Sequence, residues 1–212
     1  NYNLLEILTH IRHSEKVFIM KRLLLIIILT LSFQSWTKAD DFRDFEIEGM
    51  SLGDSALEFF TKSTLVKNKK LDWYKSSEFI PIAELYLDSS KIYESFQIAV
   101  KNKDNDFKIQ MIGGFVFYKD NVNECYQKID DITNEIKSLF NNIEVGDKNT
   151  HKHSLDKSGK TLITGIILED ISGNEISVQC YDWSEDLPYW DQLRITIDTQ
   201  EHNLWLQDVL YN

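Results

Sequence analysis

The segment with the most unusual side-chain chemistry is an aromatic and acidic stretch at residues 183–191. It contains Trp183, Tyr189 and Trp190, and acidic side chains stand at positions 185, 186 and 191. Aromatic faces and carboxylates can bind a sugar ring by stacking and hydrogen bonding, or they can bind a cation. The alternative is that the two tryptophans close one end of the core while the acids stay in solvent. We take the three aromatic residues as the candidate binding site.

A second pattern with possible chemistry is GMSLG at residues 49–53, which matches the G-x-S-x-G nucleophile elbow of serine hydrolases. In that fold several strands precede the nucleophile and build the oxyanion hole, whereas little mature sequence is expected before Ser51. Asp54 follows three residues after Ser51, which is a helix-capping pattern. Capping is the interpretation we favour, and a small hydrolase that uses Ser51 is the alternative.

The histidines offer a third possibility, because His151 and His153 stand two positions apart with Asp147 and Asp156 nearby. The surrounding segment is polar, no third ligand stands at a recognised spacing, and HExxH and CxxC motifs are absent. The sequence therefore predicts neither a metal site nor a cofactor.

Cys125 and Cys180 are the two cysteines of the chain. In an exported protein an even pair favours a disulfide, and the alternative is two reduced thiols that pack as small apolar side chains. A bond between them would close a loop worth roughly 4 kcal/mol in the chain-entropy model.

The elements that must position these residues follow from apolar periodicity. The clearest is a helix in which Cys125, Ile129, Ile132 and Ile136 recur at three- and four-residue spacing. Alternating segments predict strands, and the polar segment 144–160 predicts a loop. The predicted helices are 52–62, 122–141 and 200–210, and the predicted strands are 78–87, 92–100, 107–118, 161–169, 176–183 and 193–197.

This order predicts an α+β fold with helices packed on one face of an antiparallel sheet, an order that a duplicated α-β-β-β unit would also produce. Within it, the alternation of Ile176, Val178 and Cys180 directs Cys180 toward the helix that carries Cys125.

The net charge of the chain excludes one class of partner. The chain has 23 basic and 34 acidic residues, for a net charge of −11. A surface this acidic repels phosphate backbones, so we expect no nucleic-acid partner.

The N-terminal part predicts export. Lys21 and Arg22 precede an apolar run at residues 23–33, and a polar segment ends at Ala39. This is the layout of a Sec-type signal peptide, and the apolar run is shorter than the ~20 residues that span a bilayer. We expect an upstream or mis-started segment at 1–19, a signal peptide at 20–39 and one mature domain at 40–212. An uncleaved anchor that retains the protein at the inner membrane is the alternative.

Three segments carry a resemblance to known proteins: ADD followed by FEIEGMSLGDS after the signal segment, the GFVFY strand at 114–118, and ECY at 124–126. With this layout the chain resembles small exported proteins of unknown function from SAR11-type marine alphaproteobacteria. The resemblance spans most of residues 40–212 and rests on structural motifs. It implies a bacterial periplasmic setting and no particular activity.

These observations predict a periplasmic or secreted domain that binds a protein, a small molecule or a glycan and is not an enzyme. The membrane would be a partner only through an uncleaved signal segment.

Overall fold

The computed structural model describes residues 41–119, 121–154 and 156–211. The signal segment and the upstream segment predicted at 1–39 lie outside these residues. The described part contains eight strands and three α-helices. In chain order they are α1 (Lys62–Lys67), β1 (Phe79–Leu85), β2 (Ser95–Lys101), β3 (Ile109–Phe117), α2 (Val122–Leu139), β4 (Glu144–Val145), β5 (Asn149–Lys152), β6 (Leu162–Glu169), β7 (Glu175–Asp182), β8 (Gln192–Asp198) and α3 (Gln200–Tyr211).

The strands form one antiparallel sheet in the order β1-β2-β3-β8-β7-β6, and both β4 and β5 pair with the outer edge of β6. Two three-stranded meanders, β1–β3 and β6–β8, therefore meet where β3 pairs with β8. Each meander is followed by a helix. The α+β class and the antiparallel sheet predicted from the sequence are confirmed.

One face of the sheet, called the α2 face here, is apolar across the second meander. Ile176, Val178 and Cys180 of β7 are each fully buried, and the residues paired with them on β8 are Ile197, Ile195 and Leu193. Side chains on directly opposed positions of neighbouring strands share a face, so this apolar surface continues from strand to strand. Helix α2 covers it with Cys125, Ile129 and Ile136.

The predicted disulfide is confirmed and joins α2 to the sheet. Cys125 and Cys180 are bonded, their Cα atoms lie 5.9 Å apart, and both side chains are fully buried. The sequence separation of 55 residues makes this a long covalent loop. The bond therefore fixes the helix against the centre of the second meander.

Helix α3 lies on the opposite face, called the Arg194 face here. Its Trp205 ring packs 5.2 Å from the ring of Phe79, and its His202 ring packs 5.1 Å from the same ring. Phe79 is directly opposite Lys101 on β2. Both residues are one position along their strands from the residues of the α2 face, so they lie on the other face of the sheet. The helices thus occupy both faces of the sheet and not the single face that was predicted, because the chain enters α3 directly after Asp198, which is on the Arg194 face.

The prediction of a helix at 52–62 is wrong. This segment contains one 3-10 turn, Ala56–Glu58, and α1 begins only after Thr61. Gly53 has φ +90, and its amide donates to the carbonyl of Ile109 instead of to a helical acceptor. The segment is therefore hydrogen-bonded to the start of β3, and this contact prevents a continuous helix despite the helical spacing of its apolar residues.

The prediction that residues 144–160 form a loop is also wrong in part. Strands β4 and β5 lie within this segment and extend the sheet beyond β6. All of their side chains are exposed, so they lack the alternating apolar pattern by which strands are recognised. Of the described residues, no helix is long and apolar enough to cross a membrane.

Candidate functional site

Trp183 is the centre of an aromatic group just beyond the end of β7. Its ring lies 4.6 Å from that of Tyr189, 5.7 Å from that of Tyr181 and 5.0 Å from the imidazole of His153. We call these four residues the Trp183 cluster. It unites two of the three aromatic residues singled out from the sequence with two that were not.

In the Trp183 cluster, the Trp183 ring is held in place by its neighbours and the Tyr189 ring is exposed to solvent. Trp183 is only partly exposed, and its backbone amide donates to Asp191 Oδ1 at 2.8 Å, which ties the two ends of the segment together. Its indole Nε1 is buried without a hydrogen-bond partner among the described residues. Tyr189 is 58% exposed. The cluster therefore presents the Tyr189 ring to solvent on a support that is held by packing.

Trp190 belongs to a separate group. Its ring lies 5.6 Å from that of Phe117, and the ammonium of Lys119 lies 3.9 Å from the centre of the indole. Trp190 is 55% exposed. A cation held over an indole at this distance is a cation–π contact, which orients the ring without covering it fully.

Arg194 stands beside the Trp183 cluster in the middle of the Arg194 face. Its guanidinium carbon lies 4.6 Å from the ring centre of Phe115 and 4.4 Å from that of Tyr181, so the group is sandwiched between two rings. Nη1 donates to the Tyr181 hydroxyl at 3.3 Å, and Nε is buried without a partner. In the described part of the chain no carboxylate forms an ion pair with it.

The charge of Arg194 affects its neighbours. Burial lowers the pKa of His153, and the nearby guanidinium lowers it further. Both effects disfavour the imidazolium form, so His153 is held as a neutral ring against Trp183 at neutral pH. The Trp183 cluster is thus next to one permanent positive charge, the guanidinium of Arg194, which lies between two aromatic rings.

Tyr181 and Arg194 were not predicted as site residues, and His153 was considered only as a possible metal ligand. The alternation of side chains along β7 could have indicated the orientation of Tyr181, because this residue follows Cys180 and must point away from the disulfide. No sequence pattern indicates Arg194, since its aromatic neighbour Phe115 is remote in the chain and is brought to it only by the pairing of β3 with β8.

Ser51 is not arranged as an activated nucleophile among the described contacts. Its hydroxyl donates to the carbonyl oxygen of Phe45 at 3.3 Å, and its amide donates to Asp54 Oδ2 at 2.8 Å. His202 instead contacts Asp198 at 2.6 Å, and His151 contacts Asn149 at 3.2 Å. The Ser51–Asp54 pair therefore stabilises a local turn.

The described residues include no group of three His, Cys, Asp or Glu side chains that could hold a metal ion. Of the candidate pair, His151 contacts the side chain of Asn149, while the ring of His153 packs at a tilt against that of Trp183. The two imidazoles are thus engaged in different contacts.

No protein-family model matches the chain, and searches of curated proteins and of solved structures find no match. The functional interpretation therefore depends on the residues themselves.

Proposed function

We propose that this chain is an exported, non-catalytic binding domain that contacts its ligand with the Trp183 cluster and Trp190. The observation that carries the proposal is the exposure of two aromatic rings that are already held in place. Tyr189 and Trp190 are each more than half exposed, yet each ring is fixed by neighbours. A preordered aromatic surface loses little conformational entropy when a ligand binds, which favours affinity.

A glycan is the ligand class that this surface suits best. The apolar side of a sugar ring can pack on an exposed aromatic face, while polar groups at the margin of the surface bond to its hydroxyls. A protein partner would use the same exposed rings as anchors. Nucleic acid is disfavoured by the net charge of −11.

The proposed location is the bacterial periplasm or the medium, reached through Sec export with removal of residues 20–39. A buried disulfide supports this location because such bonds persist in oxidising compartments. The resemblance to exported proteins of SAR11-type alphaproteobacteria supports the same setting.

The test is binding to an array of neutral and acidic oligosaccharides by the protein and its Tyr189→Ala and Trp190→Ala variants. We expect each variant to lose at least tenfold of the signal, equivalent to about 1.4 kcal/mol. The matched control is Tyr86→Ala, because this aromatic side chain is 64% exposed and follows β1, at the far edge of the sheet. Equal signals from all four proteins, in the array and in pulldowns of protein partners, would contradict the proposal.

A further inference from the structure

An open cavity of about 450 Å³ lies on the Arg194 face beside the edge strand β5. Cavities of this size accommodate small organic ligands. The lining residues come from β5 and its following turn, from β6 and from β7; they are Asn149, His151, Lys152, Ser154, Gly165, Ile167 and Gln179.

The chemistry of this lining differs from that of the whole chain. It contains a hydroxyl, an imidazole and two carboxamides but no carboxylate, although the chain carries 34 acidic residues. Lys152 also contributes to the lining, but its side chain lies on the α2 face, because Lys152 is opposite Leu162 and Leu162 is opposite Asp182. The positive charge on the Arg194 face is the guanidinium of Arg194, which is directly opposite Gln179 on β8. A concave surface rich in donors and free of acids favours a ligand that carries negative oxygen atoms.

A hydrogen-bond relay orients Gln179 toward this cavity. Arg194 Nη1 donates to the hydroxyl oxygen of Tyr181, and that hydroxyl donates to Gln179 Oε1 at 3.4 Å. Because the amide oxygen is the acceptor in this relay, both hydrogens on Gln179 Nε2 remain to be donated. Arg194 is thus a positioning residue for the Gln179 amide.

The glycine opposite Gln179 is needed for this placement. A Cβ atom at position 165 would lie 2.5 Å from the backbone carbonyl oxygen of Val178 and 2.6 Å from Gln179 Cγ, both too close for non-bonded atoms, so both the backbone of β7 and the Gln179 side chain require glycine here. Gly165 therefore allows the Gln179 side chain to lie across β6 and form one wall of the cavity.

The cavity adjoins the Trp183 cluster. His153 lies between two lining residues, Lys152 and Ser154, and its ring packs 5.0 Å from Trp183. A ligand that stacks on the exposed ring of the cluster can therefore extend a substituent toward the donors of the cavity.

We propose that the cavity binds the carboxylate of an acidic saccharide, whose sugar ring packs against the Trp183 cluster. The carboxylate accepts hydrogen bonds from the Gln179 amide and the Ser154 hydroxyl, and Arg194, directly opposite Gln179 on β8, supplies the opposite charge. This inference rests on the proposed function and adds the class of sugar, a uronic acid.

The probe is oligogalacturonate, compared with its methyl ester, which has the same rings but no charge. By calorimetric titration we expect the acid to bind the wild-type protein at least tenfold more tightly than the ester. The Gln179→Glu variant keeps an acceptor for Tyr181 but replaces the amide donors with a negative charge. It should lose at least tenfold in affinity for the acid and little for the ester.

Two further variants make the result independent of folding and of net charge. Lys152→Gln removes a positive charge from an exposed side chain on the α2 face and should change neither affinity. Gln127→Glu adds the same charge as Gln179→Glu at an exposed position of α2 and should change neither affinity.

Several results would overturn this inference. Equal affinities for acid and ester, with both lost in Tyr189→Ala, would remove the carboxylate site but leave the proposed function standing. Absence of binding by either probe would remove the saccharide assignment, and the proposed function would then depend on the array. Binding of polyglutamate as tight as that of oligogalacturonate would show that charge alone is recognised and would also overturn it.

Discussion

The two faces of the second meander are made from alternate residues of the same strands, yet they differ completely in chemistry. On β7, Ile176 and Val178 are fully buried on the α2 face, whereas Ser177 and Gln179 are partly exposed on the Arg194 face. One face therefore supplies the cohesion of the meander, which leaves the other free to carry polar and aromatic groups.

The largest difference between the faces should come from the covalent link on the α2 face. Replacing both Cys125 and Cys180 by serine should lower the free energy of unfolding by about 4 kcal/mol, because the unfolded chain regains the freedom of a 55-residue loop. Urea unfolding at neutral pH measures this change. A reductant should lower the midpoint of the wild-type protein and leave that of the variant unchanged; an unaffected wild type would contradict the prediction.

Adjacent residues of β7 provide a matched comparison of the two faces. Ile176→Ala should cost about 3 kcal/mol, because it opens a cavity beneath α2. Ser177→Ala should cost about 1 kcal/mol, since it removes only the 2.6 Å hydrogen bond between Ser177 Oγ and Thr196 Oγ1. Both values come from the same urea titrations. Equal losses would show that the faces do not differ in their contribution to stability.

The smallest effect should be a gain in stability from removing a charge on the Arg194 face. Glu175 is directly opposite both Glu169 and Asp198, and burial followed by the charge of Asp198 raises the pKa of Glu175 to about 7. Between pH ~4.5 and ~7 the folded state therefore holds a proton that the unfolded state has released, so stability falls as the pH rises through this window.

Glu175→Gln should remove this dependence. At pH 8 we expect the variant to be more stable by less than about 1 kcal/mol, because solvent screens the partly exposed carboxylate. At pH 4 the two proteins should melt at nearly the same temperature. Melting curves across the range measure the difference, and a difference that does not vary with pH would refute the assignment.

Much of the fold could be predicted from the sequence because apolar periodicity survives wherever a surface is buried. Helix α2 and the strands of both meanders have a buried stripe or face, and their predicted bounds differ from the observed ones by a few residues. The disulfide could be predicted because Cys125 and Cys180 both lie on such stripes.

The wrong predictions concern segments in which the local sequence pattern and the tertiary contacts favour different structures. Residues 52–62 have helical spacing, but the amide of Gly53 donates a hydrogen bond to the carbonyl of Ile109 in β3. The exposed strand β5 has no apolar alternation to reveal it.

The candidate site could be predicted only in part for a related reason. Tyr189 and Trp190 are conspicuous in the sequence because they stand together in one segment. Arg194 acquires its significance from Phe115 and Tyr181, which reach it through strand pairing and alternation. A single arginine in a strand gives no signal of this kind.

The central claim is that, in the second meander, the Arg194 face binds the ligand while the α2 face maintains the fold. The most direct measurement is a map of backbone amide chemical shifts during titration with oligogalacturonate. We predict that the shifts concentrate in β5, in β7 and in residues 183–191, and that the amides of α2 remain unchanged. Shifts centred on α2, or spread evenly over both faces, would contradict the account.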